Sequence, residues 1–221
     1  MRNRFLSRID PRATFVAIDF ETANYRLASA CAVGLVRVEQ LQIVRREACL
    51  LRPPSPHFRF TGVHGIDWER VSDALPFAAA WPRLHLLLEG AEFLAAHNAA
   101  FDRGVLYACC RAAGLQPPDV PFVCSMRLAR RTWGIYPTTL PEVCRFLKLP
   151  MEHHNPGADA EACAGIVMQA ARERMGGTLT ASADGGLRRS RKTEQSANQR
   201  PHPGGPAQGE CGWRLVALSP G

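Results

Sequence analysis

Apolar and polar residues alternate with a period of two along residues 14–21, and this alternation predicts a β-strand. One face of the strand is apolar throughout: Val16, Ile18 and Phe20. Because side chains alternate across a strand, Asp19 and Glu21 project from the other face, both at the end of the strand. The first strand is therefore expected to present two carboxylates side by side.

Strand and helix patterns continue along the chain to residue 174. The predicted elements are strands at 28–38 and 41–51, a helix at 77–89, a strand at 92–96, a helix at 99–113, a strand at 122–124, and helices at 125–133, 139–147 and 156–174. The link between the second and third strands is only Glu39 and Gln40, which predicts an antiparallel hairpin. Strands that feed helices in this way predict an α/β domain with a mixed sheet.

Two of these helices carry more specific expectations. Pro82 falls inside the helix at 77–89, where it is expected to mark the true first turn, because proline is tolerated there and not further along. The helix at 99–113 should end at Gly114, a typical C-terminal stop. Its predicted apolar stripe is Phe101, Val105, Ala108 and Ala112.

The last predicted helix places an acid on its apolar side. Asn155 is a good N-cap, and Pro156 suits the first helical position. The apolar stripe is Cys163, Ile166, Val167, Ala170 and Ala171. Asp159 lies one turn before Cys163 and should therefore face the sheet. A carboxylate on a buried face needs a partner, which favours a ligand over a solvated charge.

Composition narrows the class of protein. The 221 residues carry a formal net charge of +7 with a sequence pI near 9.3, which fits a polyanionic partner and is equally compatible with an arginine-rich composition alone. No apolar run approaches the length of a membrane span, and the basic N-terminus lacks a secretory h-region, so we expect a cytoplasmic protein without membrane contact. The eight cysteines form no CxxC pair and are expected to be reduced.

The composition changes after residue 175. In residues 176–221, 20 of 46 are Gly, Pro, Ser or Gln, a bias that predicts disorder. The predicted organisation is an N-terminal extension at 1–13, one domain at 14–175 and a disordered basic tail at 176–221. An apolar patch at 213–218 is either a docking segment for a partner protein or unselected tail sequence.

Three short motifs supply four carboxylates and a histidine: DFE at 19–21, HNAAFD at 97–102 and HNPGAD at 154–159. Each motif alone has an ordinary explanation, as solvated acids, a strand-to-helix turn or a capped helix start. Converging acids repel one another unless cations lie between them. In this order and spacing the motifs favour a phosphodiesterase that uses two metal ions.

On these motifs the chain resembles the DEDDh 3′–5′ exonucleases, the DnaQ-like group that includes the proofreading epsilon subunit of DNA polymerase III, RNase T and oligoribonuclease. The resemblance spans roughly residues 14–175 and implies an RNase H-like fold, with a mixed five-stranded sheet flanked by helices. It implies hydrolysis of single-stranded nucleic acid from the 3′ end to nucleoside 5′-monophosphates, with DNA favoured. Two alternatives stay open: an exoribonuclease of the RNase T or oligoribonuclease type, and a non-catalytic nucleic-acid-binding adaptor.

The resemblance also implies a role for each matched residue. Asp19 would bridge two Mg²⁺ or Mn²⁺ ions, Glu21 and Asp159 would complete one metal site, and Asp102 would hold the other. His154 would be the general base that takes a proton from the attacking water. An unperturbed histidine pKa of about 6.5 suits that task.

Three other histidines have open or lesser roles. His153 is the rival base, but it lacks the five-residue spacing to Asp159. His97 is expected to bond locally and orient the Asp102 loop. His64 is either a nucleotide contact or a turn histidine bonded to its own loop. The candidate substrate-binding residues are Thr22, Ala23, His64, Asn98 and Phe101, although Asn98 could instead share the structural role of His97. The implied partners are single-stranded DNA or RNA 3′ ends.

Overall fold

A computed structural model describes residues 9–151, 154–180 and 216–217, with 175–180 and 216–217 described by secondary structure alone. The strands are β1 (Thr14–Thr22), β2 (Ala30–Glu39), β3 (Gln42–Leu50), β4 (Phe93–Ala96), β5 (Phe122–Cys124) and β6 (Val216–Ala217). The helices are α1 (Thr61–His64), α2 (Trp68–Val71), α3 (Phe77–His85), α4 (Ala99–Ala112), α5 (Ser125–Trp133), α6 (Leu140–Leu147) and α7 (Pro156–Thr180), with a 3₁₀ turn at Leu86–Leu88.

The strands form one mixed sheet in the order β5-β4-β1-β2-β3-β6. β1, β2 and β3 are antiparallel neighbours, while β4 runs parallel to both β1 and β5. Gln40 and Leu41 turn the β2–β3 hairpin with φ values of 50° and 59°, the backbone that two-residue hairpin turns favour. The predicted mixed five-stranded sheet and its hairpin are confirmed, and β6 adds a two-residue sixth strand parallel to β3.

Each face of the sheet has its own core, and β1 contributes to both. Val16, Ile18 and Phe20 pack with α3 and α4 on one face. Phe15 and Ala17 pack with α5 and α7 on the other. The alternation predicted from the sequence is therefore confirmed, and it directs the two acids of β1 to the face that α7 covers.

The prediction for Pro82 is wrong. α3 begins at Phe77, and Pro82 lies inside the helix as its sixth residue. The Phe77 and Trp81 rings stack at 5.2 Å, and both are buried with Leu84 against the sheet. Burial of these side chains outweighs the one backbone hydrogen bond that the proline ring removes.

The predicted apolar stripe of α4 is confirmed at Val105 but is wrong at Phe101 and Ala112. The buried residues of this helix are Ala99, Asp102, Val105, Leu106, Cys109 and Cys110. Phe101 is 40% exposed, and Ala112 is exposed as well. The two stripes share helical spacing, so periodicity alone could not choose between them. The helix is rotated about its axis so that Asp102 faces the core.

Regular secondary structure extends beyond the predicted domain boundary at two places. α7 continues to Thr180, five residues beyond the predicted domain boundary, and residues 216–217 form β6. The rest of the tail, and most of the 1–13 extension, lies outside the described residues. Over the part of the chain that is described, no helix is both long and apolar enough to cross a membrane. The seven described cysteines are free, as expected; Cys211 lies outside this part.

Candidate active site

The candidate residues come together where β1 ends beside the parallel strand β4. Asp19 and Glu21 lie near the end of β1 on the α7 face. Asp102 is in the first turn of α4, which directly follows β4, and Asp159 is in the first turn of α7. Two strand ends and two helix starts thus bring acids from three distant parts of the chain to one edge of the sheet.

A hydrogen bond ties the α4 acid to β1. The backbone N–H of Phe20 donates to Asp102 Oδ1 at 3.1 Å, and Asp102 is only 1% exposed. Phe20 stands between Asp19 and Glu21, so this bond brings a third carboxylate beside the first two. The contact joins residues 82 positions apart, which sequence spacing could not reveal.

The first turn of α7 adds the fourth acid and a histidine. Potential metal-ligating atoms of Glu21, His154 and Asp159 all lie within 4.8 Å of one another. The backbone N–H of His154 donates to Asp159 Oδ2 at 3.2 Å. His154 has a left-handed backbone, with φ of 66°, which costs a non-glycine residue about 1–2 kcal/mol. His153, the rival base, lies outside the described residues.

The start of α7 is fixed by its own cap and by a glycine in β2. Asn155 Oδ1 accepts a hydrogen bond from the Gly157 N–H at 3.1 Å, so the predicted N-cap is confirmed. Gly34 lies opposite Asp19 in the β1–β2 register. A Cβ atom there would overlap the Pro156 carbonyl and lie 2.6 Å from the Gly157 nitrogen.

Gly34 is a site-forming residue that sequence reasoning missed. A glycine inside an otherwise apolar strand is a known sign of close backbone approach, so the signal was present in the sequence. The partner could not be inferred, because the contact spans more than 120 residues of chain.

Burial and mutual repulsion raise the pKa values of the clustered acids and so favour their protonated forms. Burial first, then the charges of Asp102, Asp159 and Glu21, raise the pKa of Asp19 well above its usual value. Burial and the charges of Asp159 and Asp102 raise the pKa of Glu21 to about 8. Burial raises the pKa of Asp102 to about 7, although the Phe20 N–H bond opposes the shift. Because the charges of the other three acids all act on Asp19, the four carboxylates form one cluster.

The donor set suits hard divalent cations. The cluster offers carboxylate oxygens from four acids with one imidazole at its edge, and oxygen ligands are what Mg²⁺ and Mn²⁺ prefer. Cations between the carboxylates would also remove the repulsion that raises the pKa values of Asp19 and Glu21. The residues therefore fit the metal chemistry expected from the sequence.

His97 bridges two elements. Its Nδ1 lies 2.8 Å from Ser125 Oγ, and its Nε2 lies 2.9 Å from the Thr138 carbonyl oxygen. Because Nε2 must donate to that carbonyl, Nδ1 accepts from the serine hydroxyl. Burial lowers the pKa of His97, which keeps the ring neutral. These contacts favour a structural role for His97, but the prediction of local bonds to the Asp102 loop is wrong, because the partners lie on α5 and the loop before α6.

Both ring nitrogens of His64 are also engaged. Nδ1 accepts from the Ile66 N–H at 3.0 Å, and Nε2 therefore donates to the Thr22 carbonyl at 3.1 Å. His64 is 8% exposed, and burial lowers its pKa. Of the two alternatives, these contacts favour the turn histidine bonded to its own loop.

The remaining candidate substrate contacts differ in accessibility. Thr22 and Ala23 are buried, and Ala23 uses its N–H and carbonyl in backbone bonds to Ser29 and Arg59. Asn98 is exposed, with a left-handed backbone and no side-chain cap bond. Phe101 is 40% exposed one residue before Asp102. Of these four candidates, Asn98 and Phe101 are therefore the ones exposed to solvent.

Sequence comparison finds relatives over this same region. A family model described as Exonuclease matches residues 16–167. The chain is 33% identical over 130 residues, 53% of its length, to a Mycobacterium tuberculosis (strain CDC 1551 / Oshkosh) protein provisionally named a bifunctional exonuclease/endonuclease. It is 30% identical over 162 residues, 70% of its length, to the 3′–5′ exonuclease DinG of Bacillus subtilis (strain 168). The matches cover 20% and 17% of those two proteins, so the chain spans a fifth or less of the curated relatives.

Solved structures share the architecture. Exonuclease X, in complex with 5′-overhanging duplex DNA, is 25% identical with a TM-score of 0.61, over 72% of this chain and 92% of that one. The nuclease domain of 3′hExo, a DEDDh family member bound to rAMP, is 15% identical with a TM-score of 0.64, over 73% of this chain and 93% of that one. These similarities confirm the RNase H-like fold expected from the sequence.

Proposed function

This chain belongs to the exonuclease family, of the DEDDh type, and we propose that it hydrolyses phosphodiester bonds at the 3′ end of single-stranded nucleic acid. The products would be nucleoside 5′-monophosphates. The observation that carries the proposal is the cluster of Asp19, Glu21, Asp102 and Asp159 with His154 at its edge. A non-catalytic adaptor would have no use for four acids that oppose one another in the absence of cations.

The four acids would hold two divalent cations, Mg²⁺ or Mn²⁺. Asp19 lies in the middle of the cluster, where it is influenced by the charges of the other three acids, and it is the residue suited to bridge both ions. Glu21 and Asp159 would hold one ion together, and Asp102 the other. Bound there, the ions would activate a water and stabilise the departing 3′ oxygen.

His154 is the residue suited to accept a proton from the attacking water. Its backbone is anchored by the N–H bond to Asp159, so its position is set by a residue of the cluster itself. Its ring reaches the edge shared by Glu21 and Asp159. A histidine at this place would contribute roughly 10²–10⁴-fold to the rate as a general base.

DNA is the favoured substrate, with RNA as the second candidate. Exonuclease X is described in complex with DNA, whereas 3′hExo is described bound to rAMP, so proteins of this fold bind either DNA or a ribonucleotide. The net charge of +7 supports binding of either strand. Docking to a DNA polymerase or repair complex through the tail, and a cytoplasmic location, remain parts of the proposal.

A gel assay tests the activity directly. Single strands of DNA and RNA, labelled at either end, would be incubated with the purified protein and Mg²⁺, Mn²⁺ or EDTA. Metal-dependent release of mononucleotides from the 3′ end is expected, with DNA consumed faster; faster loss of RNA would favour the exoribonuclease alternative. The Asp19→Ala protein should be inactive in the same assay. Strand binding without degradation under any metal would favour the adaptor instead.

A further inference from the structure

Ser125 carries a buried hydroxyl that the proposed chemistry does not use. It is the first residue of α5 and is fully buried. β4 and β5 pair in parallel with Ala96 opposite Cys124, so Ser125 follows β5 at the level where His97 follows β4. The hydroxyl therefore lies at the same end of the parallel strands as the clustered acids.

The hydroxyl hydrogen of Ser125 is directed at His97. The distance from Oγ to Nδ1 is 2.8 Å, whereas the Ala96 carbonyl oxygen is 3.5 Å from Oγ, at the limit of a hydrogen bond. The lone pairs of Oγ remain to accept a bond, and the buried thiol of Cys163 is hydrogen-bonded to Ser125. One hydroxyl thus joins the residue after β4 to the buried face of α7.

Both neighbours of Ser125 belong to segments that carry acids. A single residue with a left-handed backbone separates His97 from α4, whose fourth residue is Asp102. Cys163 lies one helical turn after Asp159 on α7. A shift of either neighbour would therefore reach a carboxylate through a few residues of backbone.

A second connection from α5 holds the other side of the His97 ring. Nε2 donates to the Thr138 carbonyl at 2.9 Å, and the Thr138 hydroxyl accepts from the Arg130 guanidinium of α5 at 2.6 Å. Thr138 is itself buried. Any rotation of the ring would leave a buried polar atom without its partner, which is costly. Both ring nitrogens are therefore held by groups that α5 positions.

We propose that Ser125 is a positioning residue of the active site: its hydroxyl fixes the start of α4 relative to the start of α7 and so sets the separation of Asp102 from Asp159. The inference rests on the proposed metal-dependent function, in which these two acids hold different cations. Such a site requires its ligands to be held to within about 0.5 Å, and groups behind the ligands supply that precision.

Ser125→Ala removes the hydroxyl and little else. The Mg²⁺ dissociation constant, measured by titration calorimetry, should rise by about 10- to 100-fold. At a fixed, subsaturating Mg²⁺ concentration, kcat on oligothymidylate should fall by a similar factor. KM for the strand should stay close to the wild-type value, because a fully buried hydroxyl cannot touch the substrate. Thr139→Ala is the matched control, since that exposed hydroxyl makes no side-chain cap bond to α6.

Nitrogen-15 NMR of the metal-free protein measures the hydrogen bond itself. His97 should appear as the Nε2–H tautomer, with Nδ1 as a hydrogen-bonded acceptor. The Nδ1 signal should move in Ser125→Ala, because its donor is lost, and should stay in place in Thr139→Ala.

A double-mutant cycle tests whether the hydroxyl acts through the imidazole. In a His97→Ala background, Ser125→Ala should change the Mg²⁺ affinity far less than it does alone, because contacting residues have non-additive effects. Circular dichroism would establish that each variant is folded.

Three results would overturn the inference: wild-type Mg²⁺ affinity and kcat in Ser125→Ala, even if its thermal midpoint falls; an equal loss in Thr139→Ala; or additive effects in the cycle. Failure of the exonuclease proposal looks different. The wild-type protein would then neither bind Mg²⁺ nor hydrolyse the strand, while the NMR difference at His97 would persist.

Discussion

At the scale of single residues, the charged carboxylates of the site lower the stability of the folded protein. Asp102 is almost fully buried, and burial raises its pKa to about 7. Its charged form is therefore held at a cost in the folded protein, because neighbouring acids and low solvent access both disfavour it. Hydrogen bonds from the backbone N–H groups of Phe20 and of Asp102 itself offset part of that cost.

Asp102→Asn should therefore stabilise the metal-free protein while abolishing hydrolysis. The amide oxygen can still accept the Phe20 N–H bond, and the negative charge is gone. The free energy of unfolding in EDTA near pH 8 should rise by on the order of 1–3 kcal/mol, measured by urea denaturation. Asp119→Asn, at an exposed loop acid, is the control and should change little. A destabilised Asp102→Asn protein would contradict this account of the cluster.

His154→Ala should lower turnover by roughly 10²–10⁴-fold, because the acceptor of the water proton is lost. Divalent-ion binding, measured by titration calorimetry, should fall far less, since the four acids remain. His154→Gly should lose the same activity, because glycine suits the left-handed backbone and separates the missing ring from backbone strain. Turnover within a few-fold of the wild-type value would instead assign the general-base role to His153.

At the scale of elements, the position of α7 depends on a single missing side chain in β2. Gly34 lets the first turn of α7 approach the sheet directly opposite Asp19. The same turn holds His154 and Asp159. Packing between a helix and a strand therefore sets the distance between acids that belong to different motifs.

Gly34→Ala should push the start of α7 away from β1 and lower turnover by about 100-fold or more, since a displacement near 1 Å at reacting groups has that effect. The protein should still fold, as judged by circular dichroism, because the rest of α7 packs on its own apolar stripe. Gly62→Ala is the matched control, since a Cβ there meets no atom within 4 Å. Near-normal turnover in Gly34→Ala would mean that the helix start adjusts without cost.

The elements follow from local pattern, and the errors arise where burial decides between two patterns. The alternation in β1 and the stripe of α7 were both predictable, because each has one apolar face. In α4, small residues and cysteines lie on both sides of the helix, so the sequence does not predict which side faces the core. Only packing against the sheet turns Asp102 inward. Pro82 was misjudged because a local rule gave way to burial of Phe77 and Trp81.

The candidate site was predictable to the level of motifs but not of contacts. The acids and His154 could be named because each motif has a recognisable spacing. The Phe20 bond to Asp102, the engagement of His64 with Thr22, and the contact of Gly34 with α7 all join distant segments. No periodicity within one segment encodes such pairings.

At the scale of the whole molecule, metal binding and stability are linked through pH. Glu21 and Asp102 have folded-state pKa values of about 8 and about 7, above their ordinary values of 4.5 and 3.8. The folded protein therefore binds more protons than the unfolded chain between about pH 4 and pH 8, so the free energy of unfolding falls as pH rises through that window. Divalent cations at the proposed site would bind the ionised acids and should reverse the loss.

The thermal unfolding midpoint in EDTA should consequently be lower near pH 8.5 than near pH 5.5, and added Mg²⁺ should raise it much more at the higher pH. Scanning calorimetry at both pH values, with and without the ion, measures this. Asp102→Asn should flatten the pH dependence in EDTA, because one of the shifted acids no longer titrates. A midpoint that climbs with pH in EDTA would contradict the raised pKa values.

The packing of α7 across β1 and β2 also has a consequence during synthesis. A nascent chain displays Asp19, Glu21 and Asp102 long before Asp159 leaves the ribosome, because the fourth acid comes 140 residues after the first. Until then the sheet face of Phe15 and Ala17 is uncovered, and neither His154 nor its helix is present. A polypeptide interrupted before α7 therefore lacks both Asp159 and His154, and translation must pass this helix before the proposed active site is complete.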